Sequence, residues 1–579
     1  MPFAHRDIAH AHTDILIIGS GGAGLFAALH AARTNPALTI TVIAKGLIGK
    51  SGCTRMVQGG YNAAVVKGDS VARHFMDTII GGKWLPNQDM AWRLCETAIT
   101  RIHELENEIG CFFDRNPDGS LHGKAFAGQS CDRTLHKSDL TGIEIINRLM
   151  EKVTTTPQVQ CLNEHRAVRL IPAKDKTGIA GAFLIDIPHG SYRYIAAKAI
   201  LLATGAGPTM YRYHTPSGDK TCDGLAMALD LGLPLRDMEM VQFHPTGLLG
   251  GDDTRMTGTV LEEGLRGAGG HLLNGEGSRF MHNYDKAGER ATRDIVSRAM
   301  YAEMQAGRRL YISMAHLGSG EVARRFPGMV KRCADCGFDL AGGKVEVVPT
   351  AHYMMGGVIS GLDTATSIDG LFVAGEDCGG VHGANRLGGN GVANSTVFGG
   401  IAGEAMAHYA TSRNSQSAWR DPDPIALDQA IALTETPFTI KSKNSEDIFA
   451  LRDGLATTMW DDVGVMRDKR GLQQAQAKLS DYRQALTSIG LGMASHTRAF
   501  NMSWQAWLNM HALIKTAQAI TTASLLRENS CGSHYRQDFP QDMPADKAAF
   551  TIIQQQGDTL TAKTQGVDFT LVKPGESLV

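Results

Sequence analysis

The chain opens on Asp14-Ile-Leu-Ile-Ile-Gly-Ser-Gly-Gly-Ala-Gly24, and that stretch leaves it little choice of fold. Asp14 to Ile18 is a short apolar run suited to a buried strand, and Leu25 to Arg33 is an Ala-rich run suited to a helix. Between them Gly19, Gly21 and Gly24 complete a Gly-x-Gly-x-x-Gly pattern that also takes in Ser20, Gly22 and Ala23. The first glycine makes the tight turn, the second lets a pyrophosphate approach the backbone, and the third lets the helix lie close on its strand. The helix N-terminus then offers free N–H groups and the positive end of its dipole to the phosphates. Strand, glycine turn and helix in direct succession predict a dinucleotide-binding α/β fold.

Later segments extend the pattern. Leu38 to Ala44 reads as a second strand, ending at Lys45 where many dinucleotide folds carry an acidic residue for the ribose, so a nicotinamide cofactor is disfavoured. Ile200-Leu-Leu-Ala-Thr-Gly-Ala-Gly207 and Gly370-Leu-Phe-Val-Ala-Gly-Glu376 read as further buried strands running into glycine turns. The dinucleotide domain therefore resumes after an insertion. From about Asp421 the texture becomes polar and Ala-rich, with helices expected over Gly471 to Leu486 and Ser503 to Leu526. Ala549 to Leu571 suggests short strands at Thr551-Ile-Ile and Phe569-Thr-Leu-Val. The expected class is α/β: a Rossmann-like domain in two parts, 1–236 and 355–425, around an inserted α+β capping domain, 237–354. A helical domain, 426–530, and a C-terminal β-containing segment, 531–579, follow.

With 579 residues, 43% hydrophobic and 20% charged, the chain has material for more than one buried core. A formal net charge of −2 points neither to nucleic acid nor to an anionic membrane surface. No apolar run approaches the roughly 20 residues of a membrane span, and the N-terminus lacks the basic-then-apolar order of a signal peptide. The expectation is a cytoplasmic chain that does not enter the membrane itself. Among ten cysteines only Cys333-Ala-Asp-Cys336 has close spacing, whereas a structural zinc or iron–sulfur site wants four ligands. No metal is expected, and any iron–sulfur centre would lie on another chain.

A late segment, His382-Gly-Ala-Asn-Arg386-Leu-Gly-Gly-Asn390, places a cation in a glycine-rich bend where a small anion could sit. His244 in Gln242-Phe-His-Pro-Thr-Gly247, His352 in Ala351-His-Tyr-Met-Met-Gly-Gly357 and Arg293 in Ala291-Thr-Arg-Asp294 complete a set fit for binding a carboxylate. Each alone reads as a core or surface histidine, or a helical surface pair. Their placement beside glycine turns favours fixed loops, where functional side chains concentrate.

Taken together these motifs resemble the flavoprotein subunit of fumarate reductases and succinate dehydrogenases, in a superfamily that includes L-aspartate oxidase. The resemblance spans nearly the whole chain. It adds Gln58-Gly-Gly60, Ala203-Thr-Gly205, Asp223-Gly224, Glu263-Gly-x-Arg266-Gly, Gly375-Glu376 and Leu526-Arg-Glu-Asn-Ser-Cys-Gly-Ser-His534 to the segments above. It implies FAD, contacted by Gly19 to Gly24, Lys45, the loop containing Ser51, Gly52, Cys53, Thr54, Gln58, Gly59 and Gly60, then Asp223, Glu376 and the turn Asn390, Gly391 and Val392. It implies a dicarboxylate held by His244, His352 and Arg386, with hydride passing between flavin N5 and one carbon while Arg293 protonates the other. An arginine is a poor acid in water, and Glu263 and Arg266, three residues apart on one helical face, match the family's proton relay. The resemblance further implies an iron–sulfur partner, with any membrane association made through partner subunits.

The chain departs from the family in two places. Ser51-Gly-Cys53-Thr54 stands where many relatives have Ser-His-Thr with the histidine joined to flavin, so non-covalent FAD is expected, Cys53 being the alternative tether. Glu262-Glu263-Gly264 stands where the family has Thr-Glu-Gly, the threonine touching a substrate carboxylate, and Ala268 replaces a common glutamate. A glutamate there opposes a second carboxylate unless one is protonated. Either Glu262 turns away and Thr259 substitutes, or the substrate carries a hydroxyl, amide or ammonium at that end.

Two other functions compete. L-aspartate oxidase would use the same hydride chemistry on an amine, and Glu262 could pair with its ammonium. Met354-Met355 and Leu387-Gly-Gly389 instead resemble the reductases, and Ala125-Phe-Ala-Gly-Gln-Ser-Cys131 lacks the oxidase's amine-recognising glutamate. A non-catalytic flavin-binding assembly subunit would have no use for His244, Arg293, His352 and Arg386 together.

Overall fold

A computed structural model describes residues 8–251, 254–412, 418–440, 447–491 and 497–579. Its central sheet has seven strands and runs Val159–Leu162, Ile40–Ile43, Ile8–Ile18, Ser191–Leu202, Ile179–Asp186, His165–Pro172, with Leu371–Val373 also joined to Ser191–Leu202. The strands around the opening motif pair in parallel, Ile15 against Ile40 on one side and Ala199 on the other. The first strand starts at Ile8, six residues before its apolar run. Ser191–Leu202 is long enough to pair with Ile8 through Thr13 as well. The near half of that long strand carries an antiparallel hairpin, and its far half pairs in parallel with Leu371–Val373. The expected α/β class holds.

Helices Gly22–Thr34 and Asn390–Thr411 cross in backbone contact because the second is glycine-striped. A Cβ at Gly399 would press on the Ala23 carbonyl oxygen, and one at Gly403 on that of Ala27. This contact sets two helix N-termini, at Gly22 and Asn390, side by side at the carboxyl ends of the parallel strands, the usual ligand position in such sheets. Under the first helix, a Cβ at Gly24 would overlap the Gly19 carbonyl oxygen, which is backbone and cannot yield. Gly24→Ala is therefore expected to destabilise by about 1–3 kcal/mol, visible as a lowered midpoint of thermal unfolding.

Residues 241–354 carry a second, antiparallel sheet, ordered Val241–Leu248, Lys344–Met354, Leu310–Ser313, His271–Asn274. It has its own apolar core around Leu265, Ile312 and Met329. Register shifts between Gln242 and Phe243 and between His244 and Gly247 re-aim side chains where this sheet meets the first.

The helices at 469–486 and 502–526 lie close to expectation. Of the terminal strands, Thr551-Ile-Ile lies in Ala549–Gln556 as expected, and the second does not lie where it was expected. Ala549–Gln556 pairs with Thr559–Gly566, a polar, mostly exposed edge strand with no apolar alternation to betray it. Residues 569–572 form no strand. The buried Gln88 side chain satisfies that backbone, accepting from Leu571 and Val572 N–H and donating to the Val572 carbonyl. The hairpin joins Leu235–Arg236 and Gly357–Val358, the two short strands bordering the second sheet. Arg527 braces the same junction, donating to Glu239 at 2.5 Å, and Thr551 bonds the other Glu239 oxygen. Among the described residues no helix is long and apolar enough to cross a membrane.

Candidate active site

The two helix N-termini open onto a continuous cleft. Its inner part, about 1230 Å³ of atom-free space, reaches from the glycine turn to the second sheet. Its outer arm runs past the end of the second strand. Gly21, Gly22, Ala23, Cys53, Thr54, Gln58, Gly59, Gly60, Glu376, Gly391 and Val392 line the inner part. Gly19, Ser20, Lys45, Ser51, Gly52 and Asp223 line the outer arm. Two expected contact residues sit elsewhere. Gly24 packs under the turn, and Asn390 is turned inward, its amide held by Asn62, His74 and Thr78.

Charges in the outer arm are matched. Lys45 Nζ donates to Asp223 and Thr221, both at 2.7 Å, and Arg166 donates to the other Asp223 oxygen. Burial brings the Lys45 ammonium down to about 8 despite Asp223. Burial would raise the Asp223 carboxyl, but Arg166 and Lys45 hold it far below the ordinary range. In the inner part burial pushes Glu376 up to about 7, while Met354 N–H bonds one of its oxygens. Burial, then the charge of Glu376, pushes the Cys53 thiol up to about 12, which makes it a weak nucleophile.

At the far end of the inner cleft stand His244, His352, Arg293, Arg386, Glu263 and Glu262. Thr246 N–H donates to His244 Nδ1 at 3.3 Å, so Nε2 carries the hydrogen and is a donor. His352 Nδ1 bonds Thr215 Oγ1 at 2.7 Å. Burial, followed by neighbouring arginines, pushes both imidazoles well below their ordinary range, so they act as neutral groups.

The arginines are organised by a residue that sequence reasoning passed over. Gln242 Oε1 accepts from Arg293 Nη1 at 2.9 Å and from Arg386 Nη2 at 3.1 Å, fixing the two guanidiniums around one atom. Its Nε2 donates to Asn385 and to the Arg386 carbonyl, so the amide cannot rotate away. A Gln one residue before a phenylalanine strand position carries no such signal in the sequence. Tyr353 lies under Arg386 at 4.4 Å. Among the described residues Arg386 Nε has no partner, and burial lowers this guanidinium to about 10.

Arg293 donates through Nε (2.8 Å) and Nη2 (2.5 Å) to Glu263 Oε2, whose other oxygen faces Arg266 at 3.4 Å. All three are buried, which excludes an exposed salt bridge. Burial would raise Glu263, but Arg293 and Arg266 hold it below its ordinary value. Arg266 passes on to the Glu289 carbonyl, and Glu289 pairs with the partly exposed Arg279.

Glu262 is one of the residues lining the cleft, with its side chain fully buried. Its Oε1 accepts from Lys124 at 2.6 Å, a pairing with no trace in the sequence, and among the described residues its Oε2 has no partner. Thr259 does not stand in for it, since its hydroxyl donates to the Met256 carbonyl. Arg332 also lines the cleft, tied to the protein by a bond to the Val260 carbonyl. Cys333 and Cys336 sit at the end of helix Pro327–Ala334, and among the described residues no group of histidine, cysteine and acidic side chains could hold a metal ion.

Comparison with known proteins agrees with this geometry. Residues 14–392 match the FAD binding domain family, and residues 452–578 the fumarate reductase flavoprotein C-terminal family. One subunit of the fumarate reductase (CoM/CoB) of Methanothermobacter marburgensis is 37% identical over 550 residues, covering 93% of this chain and 96% of its own. The fumarate reductase flavoprotein subunit of Escherichia coli is 33% identical, covering 91% and 88%. A solved variant of the E. coli quinol fumarate reductase flavoprotein superposes with a TM-score of 0.90 at 31% identity over 98% of this chain and 99% of that one.

The residues present fit FAD. Backbone glycine at Gly19 and Gly22 is required where a Cβ would strike Ala203 O or Ser395 Oγ. Gln58 Oε1 is a buried atom on the cleft wall without a partner, and Glu376 offers a buried carboxyl to hydroxyl groups. Fold, cleft and relatives converge: the chain belongs to the fumarate reductase and succinate dehydrogenase flavoprotein family of FAD-dependent oxidoreductases.

Proposed function

We propose that this protein interconverts a C4-type unsaturated dicarboxylate and its saturated counterpart, fumarate and succinate being the reference pair. It exchanges the electrons with an iron–sulfur protein partner, in keeping with relatives that are named as subunits. The observation that carries the reading is the shared Gln242 oxygen, which sets two buried guanidiniums and two neutral imidazoles around one end of the flavin cleft. Bound FAD supplies the hydride-exchanging centre.

The chain's residues would divide the rest of the work. Arg386, with an unused Nε, and the Nε2 donor of His244 are placed to hold carboxylate oxygens by charge-assisted bonds. Arg293 is the proton donor to the second alkene carbon, and Glu263 and Arg266, in line behind it, are the groups placed to return its proton. Because Glu263 grips two of its nitrogens, Arg293 is already oriented when substrate arrives. Flavin is held without a covalent bond, in keeping with a Cys53 thiol that stays protonated.

The oxidase alternative loses its best argument. Glu262 was the group able to meet an ammonium, and Lys124 occupies that charge. The test uses the purified holoprotein. Acid precipitation should release all the FAD into the supernatant, and yellow colour left in the pellet would overturn non-covalent binding. Fumarate should reoxidise the reduced flavin and succinate should bleach the oxidised one. Bleaching by aspartate with prompt oxygen consumption would replace this reading with aspartate oxidation.

A further inference from the structure

The Glu262 carboxyl is built into the cleft in an unusual way. The residue lines the cleft where substrate would lie, its side chain is wholly enclosed, one oxygen accepts from Lys124, and the other has no partner among the described residues. A buried acceptor left unmatched costs stability that a ligand donor would recover. Lys124 also donates to the Ser138 carbonyl at 2.8 Å, and it bonds the one Glu262 oxygen and not the other.

The charged surroundings of Glu262 come from several elements. Lys124 lies on the short strand Gly123–Lys124, with His136 and its hydrogen-bonded partner His122 behind it. Asp139 and the neighbouring Glu263 add negative charge, and Arg332, on helix Pro327–Ala334, lines the same cleft. His244, His352, Arg293 and Arg386 line the cleft beyond. Lys124 cancels the charge of an ionised Glu262 but leaves its free oxygen an acceptor. An ionised carboxylate of the substrate placed against that oxygen is repelled, whereas an uncharged donor is not.

Resting on the reading of this cleft as an unsaturated-acid site, we propose that Glu262 selects the substrate at the end not held by Arg386. Its free oxygen accepts a hydrogen bond from an uncharged donor there, an amide or a hydroxyl. A second carboxylate enters that position only with a proton shared between it and Glu262. The preferred substrates are thus unsaturated monocarboxylates bearing a hydrogen-bond donor at the far end, and a dicarboxylate is accepted as its singly charged equivalent. Burial, opposed by Lys124, raises the Glu262 carboxyl to about 7, so the proton is available in neutral solution.

The test compares fumarate with its monoamide on the FAD-loaded enzyme between pH 6 and 9, where the carboxylates of both acids are ionised. The ratio of kcat/KM for fumarate to that for the monoamide cancels any pH dependence of the Arg293 relay. In the wild type the ratio should fall about tenfold per pH unit above 7, with the monoamide preferred at pH 9. Glu262→Thr should make the ratio independent of pH and raise it at least tenfold at pH 8. Glu262→Gln should also abolish the slope, which packing loss alone would not do in both variants. A flat wild-type ratio, a slope that survives in both variants, or a monoamide that is not reduced at any pH overturns the proposal. If neither acid reoxidises the wild-type flavin, the unsaturated-acid reading itself fails, a result separate from these.

Discussion

Arg293→Ala is expected to lower turnover about a thousandfold with FAD still bound. Positioned proton transfer contributes roughly 10²–10⁴ in rate, and Arg293 faces the cleft while bonded to the buried Glu263 behind it. The loss should fall on kcat, because the carboxylate-binding groups Arg386, His244 and His352 are untouched. Arg293→Lys should rescue little. One ammonium cannot hold Glu263 Oε2 and Gln242 Oε1 in the present geometry, where the guanidinium uses three nitrogens to do so. Single-turnover reoxidation of the reduced flavin by fumarate reads the chemical step directly. Wild-type rates in Arg293→Ala would end both the proton-donor role and the mechanism built on it.

Arg386→Ala should cost a hundredfold or more in kcat/KM. Removing one partner of a buried charge-assisted pair costs about 2–5 kcal/mol, and a substrate carboxylate left in this cleft would lose the cation that shares the Gln242 oxygen with Arg293. Unlike the Arg293 change, this one should weaken binding of a saturated dicarboxylate that does not turn over, measured by perturbation of the flavin spectrum. Arg386→Lys should recover part of the affinity through charge while losing the forked geometry and the stacking on Tyr353. If Arg386→Ala bound dicarboxylates as tightly as the wild type, the anion site would have to be sought elsewhere, with Arg332 the next candidate.

Much of this site could be read from the chain because glycine positions announce backbone geometry. Gly19 and Gly24 are where no side chain fits, and the strand before and helix after them follow from short-range patterning. His244, His352, Arg293 and Arg386 were visible because they stand beside such turns. Gln242, Lys124 and Arg332 were not. Each is a common polar residue whose role comes from a partner over a hundred positions away or from a different element, as Lys124 with Glu262 and Gln242 with Arg386. Spacing rules describe neighbours on one helix or strand and are silent about such pairs. The Thr559–Gly566 strand escaped for a related reason: its pairing is dictated by Ala549–Gln556, and its exposed face gives no alternation to read.

The hairpin of Ala549–Gln556 and Thr559–Gly566 has a consequence for the cleft wall. It pairs with Leu235–Arg236, which pairs in turn with Gly357–Val358, so the two strands bordering the second sheet, already joined to each other, gain a third partner from the hairpin. Without the hairpin those two bordering strands lack their third partner, and Glu239 lacks Thr551. Each strand is two residues long, too short to hold the border of the second sheet by itself. A segment that contributes no side chain to the cleft thus steadies the wall that carries His244 and His352.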